Sequence, residues 1–310
     1  MTKLSVLKNY DSTEAGYIEM LNKIINQYQF SQSQLAIKIG ISESTLSQIR
    51  SGEYELNPDS FVWNQVKKFI ETINKKVYET KLLRVVYRML NEAFKEKEIA
   101  VITSCSGAGK TTAILQYCLI NHFAVHIRVN EVFTTKYLLQ IILRSLNCPT
   151  LGLNTQQMYE TVSEMLTRKN RLIVIDEAER LKVSQLELLR DLYDQGNMGL
   201  CLVGLDSLRS LLQKGKNLRE NLVQLYSRVA YQKIVDILEP EDVEMIINDK
   251  IPKNSVSKQM LKDLSKKYRS RGGFRAILKL SNLALKLADK NNIRNINDEF
   301  LTACIEELSL

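Results

Sequence analysis

Proline and glycine are scarce in this chain, 4 and 12 among 310 residues, which leaves little room for long flexible linkers. Cysteine is scarce and odd in number: Cys105, Cys118, Cys148, Cys201 and Cys304 show no CxxC spacing. That pattern excludes a disulfide frame and a paired-cysteine zinc site, and it fits reduced thiols in a cytoplasmic compartment. No run approaches the roughly 18 apolar residues of a membrane span, and the opening MTKLSVLKNYDSTEAG lacks the apolar centre of a secretory leader. No membrane partner is expected. Aromatic residues make up 7% and β-branched runs are few, so helix should dominate. What is present, 45% hydrophobic and 25% charged residues, excludes disorder as the main state, and the length suggests roughly two or three domains.

The balance of 43 Lys and Arg against 35 Asp and Glu gives +8, a modest attraction for polyanions. The excess falls on residues 77–170 (+4) and 241–310 (+3), whereas 1–76 carries +1 and 171–240 is neutral.

Four segments follow from the pattern: a helix-turn-helix unit in 1–76, a helical lead-in over 77–98, an α/β domain over 99–240 and a helical segment over 241–310. In the first, Ser31 and Gln34 form a capping box, Gly40 supplies a tight turn, and Ser42 caps a second helix before Leu46 and Ile49. Glu43, Ser44, Ser47 and Gln48 then fall on the opposite face, where a recognition helix offers small polar groups to base edges, with Arg50 near the phosphate backbone. The alternative is a small bundle with a solvated face, which Glu43 favours because phosphate repels a carboxylate. From residue 99 the apolar runs IAVIT (99–103), FAVHIRV (123–129), RLIVID (171–176) and LCLVG (200–204) alternate with amphipathic stretches, the signature of a parallel sheet with crossover helices.

The strongest chemical signal lies between the IAVIT run and a helix beginning near Thr112: Ser104, Cys105, Ser106, Gly107, Ala108, Gly109, Lys110, Thr111. Glycines at 107 and 109 let the backbone turn its N–H groups inward, the helix N-terminus adds positive potential, Lys110 reaches the β- and γ-phosphates of a nucleotide, and the Thr111 hydroxyl suits magnesium. The phosphate-loop pattern calls for glycine at position 104, and serine there would cost about 1 kcal/mol if a positive φ were required. Downstream, LIVIDE ends a buried strand in two carboxylates, Asp176 to hold the magnesium through water and Glu177 to act as general base on the attacking water. Arg228, between ENLVQLYS and VAYQKIVDI, is placed to reach a neighbour's γ-phosphate, and Arg275, in GGFR at a helix start, to fold back on the same nucleotide. Each has the alternative of an ordinary surface arginine.

On these residues, together with LIVIDEAERL at 172–181, LYSRVA at 225–230 and GGFRAI at 272–277, the chain resembles the AAA+ ATPases. More narrowly it resembles their transposition target-selection branch, which includes the B protein of phage Mu; the Tn7-type regulator, the IstB-type helper and the ExeA-type secretion ATPase are more distant. The resemblance covers nearly the whole length, with the helix-turn-helix unit first and a helical lid last. It implies an ATP- and Mg2+-dependent ATPase that binds duplex DNA largely without sequence preference, assembles with copies of itself into filaments or rings, and delivers target DNA to a DDE-type transposase. It also implies that Arg228 is the arginine finger and Arg275 the second sensor. The polar first sensor expected after LCLVG meets Leu205, with Asp206 one residue later, so either the register shifts or hydrolysis is slow. DNA contacts are expected on loops after the second and third strands, at Thr134, Thr135, Lys136 and Lys182. A basic run of Lys258, Lys262, Lys266, Lys267, Arg269, Arg271, Arg275 and Lys279 reads as a second DNA surface, a transposase-docking patch or a solvated helix face. Other readings are a helix-turn-helix transcriptional regulator with an ATPase switch, and a helicase loader or secretion ATPase.

Overall fold

The computed structural model describes residues 14–54, 60–74, 76–214, 222–235, 238–251, 255–293 and 295–308. The opening residues 1–13, read above as lacking a leader, lie outside them. Helices α1 (Glu14–Tyr28), α2 (Gln32–Ile39), α3 (Glu43–Ser51) and α4 (Phe61–Asn74) bury Leu21, Ile24, Leu35, Leu46, Ile49, Val66 and Ile70 in a core of their own. The local signals act as expected. Ser31 and Gln34 form a reciprocal capping box, Gly40 adopts φ 84°, and the Ser42 side chain accepts the Thr45 N–H.

The lead-in is two pieces rather than one helix. After α4, residues 76–80 form no regular element, with the Thr80 N–H turned back to the Tyr78 carbonyl at 2.8 Å, and Thr80 then caps α5 (Lys81–Glu96), accepting the Leu83 N–H at 3.2 Å. The α/β part follows as β1 (Ile99–Thr103), α6 (Lys110–Ile120), β2 (Ala124–Arg128), α7 (Thr135–Ser145), α8 (Thr155–Arg168), β3 (Arg171–Asp176), α9 (Val183–Gln195), β4 (Met198–Gly204), α10 (Asp206–Lys214), α11 (Leu222–Ser227) and β5 (Val229–Ile234). All pairings are parallel and the strand order is β2-β3-β4-β1-β5.

This order explains the two cores. The step from β1 to β2 crosses the sheet in one direction and every later step in the other, so right-handed crossovers put α6 on one face and α7–α11 on the opposite one. Alternation along each strand feeds both faces: Ile99, Val101, Ile173, Ile175, Leu200 and Leu202 meet α7–α11, whereas Ala100, Ile102, Leu172, Val174, Cys201 and Val203 meet α5 and α6. Helix α5 lies so close to β4 that a Cβ at Gly199 would overlap the Ala93 carbonyl oxygen. A Gly199→Ala chain is therefore expected to lose about 1–3 kcal/mol of stability, read as a lower denaturant midpoint.

The four-helix unit sits on the far end of α6. Leu119 joins its core, the Lys38 ammonium donates to the Cys118 carbonyl at 2.5 Å, and Phe30 meets His122 edge-on at 4.9 Å. Burial holds the Lys38 pKa down and pushes the Cys118 thiol up to about 12. The chain ends in α12 (Pro240–Lys250), α13 (Lys258–Tyr268), α14 (Gly273–Lys290) and α15 (Asp298–Glu307), whose core includes Ile247, Leu264, Tyr268, Ile277, Leu280 and Leu301. Among the described residues no helix is long and apolar enough to cross a membrane.

Candidate nucleotide site

The site lies at the carboxyl ends of the strands, at interior strand β1, from which the crossover direction reverses. Gly107 and Gly109 take φ 78° and 104°, and Gly109 leaves the first turn of α6 without a side-chain cap, so its N–H groups are available to an anion. Ser104 is unstrained: among the described residues the non-glycine positions with positive φ lie elsewhere, so the cost anticipated for serine does not arise. Its N–H donates to the Gly204 carbonyl at 3.2 Å, tying the loop to β4. Lys110 Nζ donates to the carbonyls of Ser104 and Cys105 at 2.8 and 2.9 Å, holding its charge inside the loop.

The lid closes on this loop from above. The Arg275 N–H donates to the Gly107 carbonyl at 3.0 Å, the Cys105 thiol to the Arg269 carbonyl at 3.1 Å, and a Cβ at Gly107 would overlap the Gly272 carbonyl oxygen. Glycine at 107 is thus required twice, for its φ and for the approach of the lid.

Across from the loop, Asp176 is 1% exposed. Thr111 Oγ1 donates to its Oδ2 at 2.8 Å and His126 Nε2 stands 3.5 Å from the same oxygen. Burial works to raise the Asp176 pKa, but these two groups and the nearby Arg128 outweigh it and hold the carboxyl below its ordinary value. Asp176 and Thr111 are hard oxygen donors converging on one point, a set that suits magnesium. Among the described residues no group of three or more His, Cys, Asp or Glu could hold a metal alone, so an ion held by Thr111 and Asp176 would need further ligands from phosphate or water.

Glu177, in the left-handed region at φ 60°, is gripped by two guanidinium groups, Arg128 and, at 2.7 Å, Arg180 Nε. Hydrogen bonding to Glu177 raises the Arg128 pKa. Together these residues line a cavity of about 320 Å³ that also takes in Ser106, Gly107, Ala108, Gly109, Lys110, Thr111, Thr112 and Arg275. The lead-in (Lys76, Val77, Tyr78, Thr80, Leu83) and the lid (Phe274, Leu278) add mostly apolar lining. Tyr78 stacks edge-on against Phe274 at 5.3 Å and donates to Asp249 at 2.7 Å, so the lead-in is bonded to the lid. An anion-binding helix N-terminus together with apolar and aromatic lining in one cavity matches the two halves of a nucleotide.

An AAA domain family model matches residues 91–212. The chain is 25% identical over 246 residues to the Mu-like prophage FluMu DNA transposition protein B of Haemophilus influenzae, covering 74% of this chain and 83% of that one. It is 23% identical to the ATP-dependent target DNA activator B of Escherichia phage Mu, over 94% of both chains. Residues 91–212 thus match an AAA domain, and the chain is similar over most of its length to transposition B proteins of the Mu type. The Aeropyrum pernix ORC2 protein (ADP form) shares the fold, with a TM-score of 0.52 at 15% identity over 73% of this chain and 67% of that one.

In this AAA+ ATPase the other expected site residues separate into two groups. Arg275 borders its own chain's cavity, whereas Arg228 is remote from it. It precedes β5, whose first residue pairs with Ile99 at the start of β1, so the length of the sheet lies between Arg228 and the phosphate loop. Its Nε bonds Asp194 at 2.5 Å and its Nη1 the Gln224 carbonyl at 2.8 Å. The register does not shift at the end of β4: Thr103 pairs with Gly204, Leu205 borders the cavity, and Asp206 begins α10 outside it.

Ser44, Ser47 and Gln48 are exposed on α3, and the half-buried Arg50 guanidinium bonds Asn22 at 2.9 Å and Gln32 at 3.0 Å, which braces the helix. Thr134 caps α7; Lys136, in the first turn of α7, and Lys182, at the start of α9, are both exposed, and the two helix starts are joined by a bond from Gln185 to the Phe133 carbonyl at 3.0 Å. The sequence reading missed the wall at residues 76–83, the guanidinium pair on Glu177, and Glu179. Only the cap at Thr80 signalled the first, and the others depend on a strand order that the chain does not spell out.

Proposed function

We propose that this ATPase is an ATP-gated binder of duplex DNA that assembles with copies of itself on target DNA and presents that DNA to a transposase. The single observation that carries the reading is the separation of Arg228 from its own phosphate loop. A nucleotide held by Lys110, Thr111 and Asp176 of one copy then meets the arginine of the next, so binding of ATP and assembly become one event. The printed names of the relatives, a DNA transposition protein and an ATP-dependent target DNA activator, supply the direction of the activity.

In this mechanism the α6 N–H groups and Lys110 hold the phosphates, and Thr111 and Asp176 hold a magnesium ion, which when bound supplies charge neutralisation to the phosphate oxygens. Glu177 accepts the proton of the attacking water once Arg128 and Arg180 release it. Arg275 follows the lid and neutralises charge from the same chain. Duplex DNA is met by Thr134, Thr135, Lys136 and Lys182, groups suited to phosphate rather than base contact, so affinity falls steeply with salt and little with sequence. Ser44, Ser47 and Gln48 add a second contact from α3, with Arg50 as its brace. The exposed cations of α13 are available to DNA or to the transposase.

Negative-stain imaging and footprinting on random duplex with ATP, ADP or no nucleotide test the reading. Continuous coverage with ATP alone is expected. A single protected operator would favour a transcriptional regulator, and a chain that stays monomeric with ATP, magnesium and DNA present would overturn the proposal.

A further inference from the structure

A water attacking the γ-phosphorus carries two O–H bonds, and holding it in line needs an acceptor for each. Glu177 is one acceptor. The neighbouring strand end offers none: Leu205, 38% exposed at the cavity, has no polar side-chain atom, and Asp206 stands outside. Glu179 fills this gap. It lies on a single 3₁₀ turn, Ala178–Arg180, and borders the same cavity as Lys110, Thr111 and Glu177. Its Oε2 accepts the Leu205 N–H at 3.2 Å, and a Cβ at Gly204 would collide with that oxygen, so the bare backbone at 204 is what lets the carboxylate lie over the strand end. Among the described residues no ion pair involves Glu179, in contrast to Glu177.

We propose that Glu179 is the second acceptor for the attacking water, a carboxylate delivered from the turn after β3 in place of the polar side chain that the end of β4 lacks. The inference rests on ATP hydrolysis at this site and is independent of what the ATPase does with DNA. One Glu179 oxygen is held by the Leu205 N–H and the other faces the water. The water oxygen bonds to the γ-phosphorus as the bond to the β–γ bridging oxygen breaks, and the electron pair of that bond leaves on ADP. One water proton passes to Glu177; the other stays on the oxygen and donates to Glu179 throughout.

Single-turnover phosphate release and binding of a fluorescent ATP analogue, both on the full chain with duplex DNA, test this. Glu179→Gln keeps the side-chain length and an oxygen for the Leu205 N–H, but turns an amide NH2, a donor, toward the water. Its turnover is expected to fall at least about tenfold with nucleotide affinity within about twofold of wild type. Glu179→Ala should fall similarly, and adding Leu205→Asn to it should recover part of the loss by restoring a polar group at the strand end. Wild-type turnover in Glu179→Gln beside an impaired Glu179→Ala would reduce Glu179 to a brace for Leu205 and overturn the proposal. A loss of affinity equal to the loss of turnover would overturn it as well. A wild-type chain that binds ATP without hydrolysing it would sink the site reading itself, and that outcome is seen in the wild-type arm alone.

Discussion

Glu177→Gln is expected to hydrolyse ATP at least about 100-fold more slowly than the wild-type chain while binding nucleotide normally, and to remain on duplex DNA long after the wild type has dissociated. Glutamine keeps the shape of the side chain but accepts no proton. The substitution also weakens the pairing to Arg128 and Arg180, whose side chains are 60% and 41% exposed. Such exposed pairs contribute about 1 kcal/mol or less, so the loss of turnover is not a loss of fold. Lys110→Ala should do the reverse. Its ammonium, now shared between the Ser104 and Cys105 carbonyls, is the one flexible cation inside the phosphate loop itself, and without it neither ATP nor ATP-dependent DNA retention is expected. Fluorescent-nucleotide affinity and DNA dissociation rates with and without ATP separate the two variants. Equal DNA affinity for both, whatever the nucleotide, would break the link between the site and DNA.

The parts of this site that the sequence exposes are those built from consecutive residues. The loop from Ser104 to Thr111 and the Asp176–Glu177 pair carry their chemistry in local order, and Ser31, Gly40 and Ser42 set helix ends through bonds to residues at most five positions away. The strands at 99–103, 171–176 and 200–204 stand out because alternate residues must satisfy two cores, leaving short apolar runs with no helical period. What stays hidden depends on distant pairings. Arg128 faces Asp176 only because β2 lies beside β3 at the edge of the sheet, and Glu179 reaches the end of β4 only because Gly204 makes room. The wall at Val77 and Tyr78 comes from a stretch without glycine or proline, fixed in place because Asp249, Glu239 and Asp242 of the lid hold Lys76, Tyr78 and Lys81. Arg50 is similar: its place on a helix face suggests a free cation, and only the packing of α1 and α2 reveals Asn22 and Gln32 as its partners.

Arg228→Ala is expected to bind ATP with near-wild-type affinity and to lose at least about 1000-fold in hydrolysis, the scale of an arginine finger supplied from a neighbour. The four steps of β1 from Ile99, which pairs with Val229, to Thr103 rise about 13 Å along the sheet, so the side chain cannot fold back to the loop that follows Thr103 in its own copy. Its present bond to Asp194, which also takes Arg190 at 2.7 Å, lies at a surface where the Arg228 side chain is 33% exposed. Exchanging that partner for a neighbour's γ-phosphate therefore costs about 1 kcal/mol or less, against several kcal/mol gained at the transition state. Mixing distinguishes help from a neighbour from a local defect. Glu177→Gln chains carry an intact Arg228 and Arg228→Ala chains an intact base, so random 1:1 assemblies place a competent site against a competent arginine at about a quarter of junctions. Two chains that are each nearly inactive should then recover turnover on mixing, with a steep dependence on protein concentration. Normal hydrolysis by Arg228→Ala alone, or no recovery in the mixture under conditions where both variants coat DNA, would assign the transition-state charge to Arg275 and remove the reason for coupling ATP to assembly.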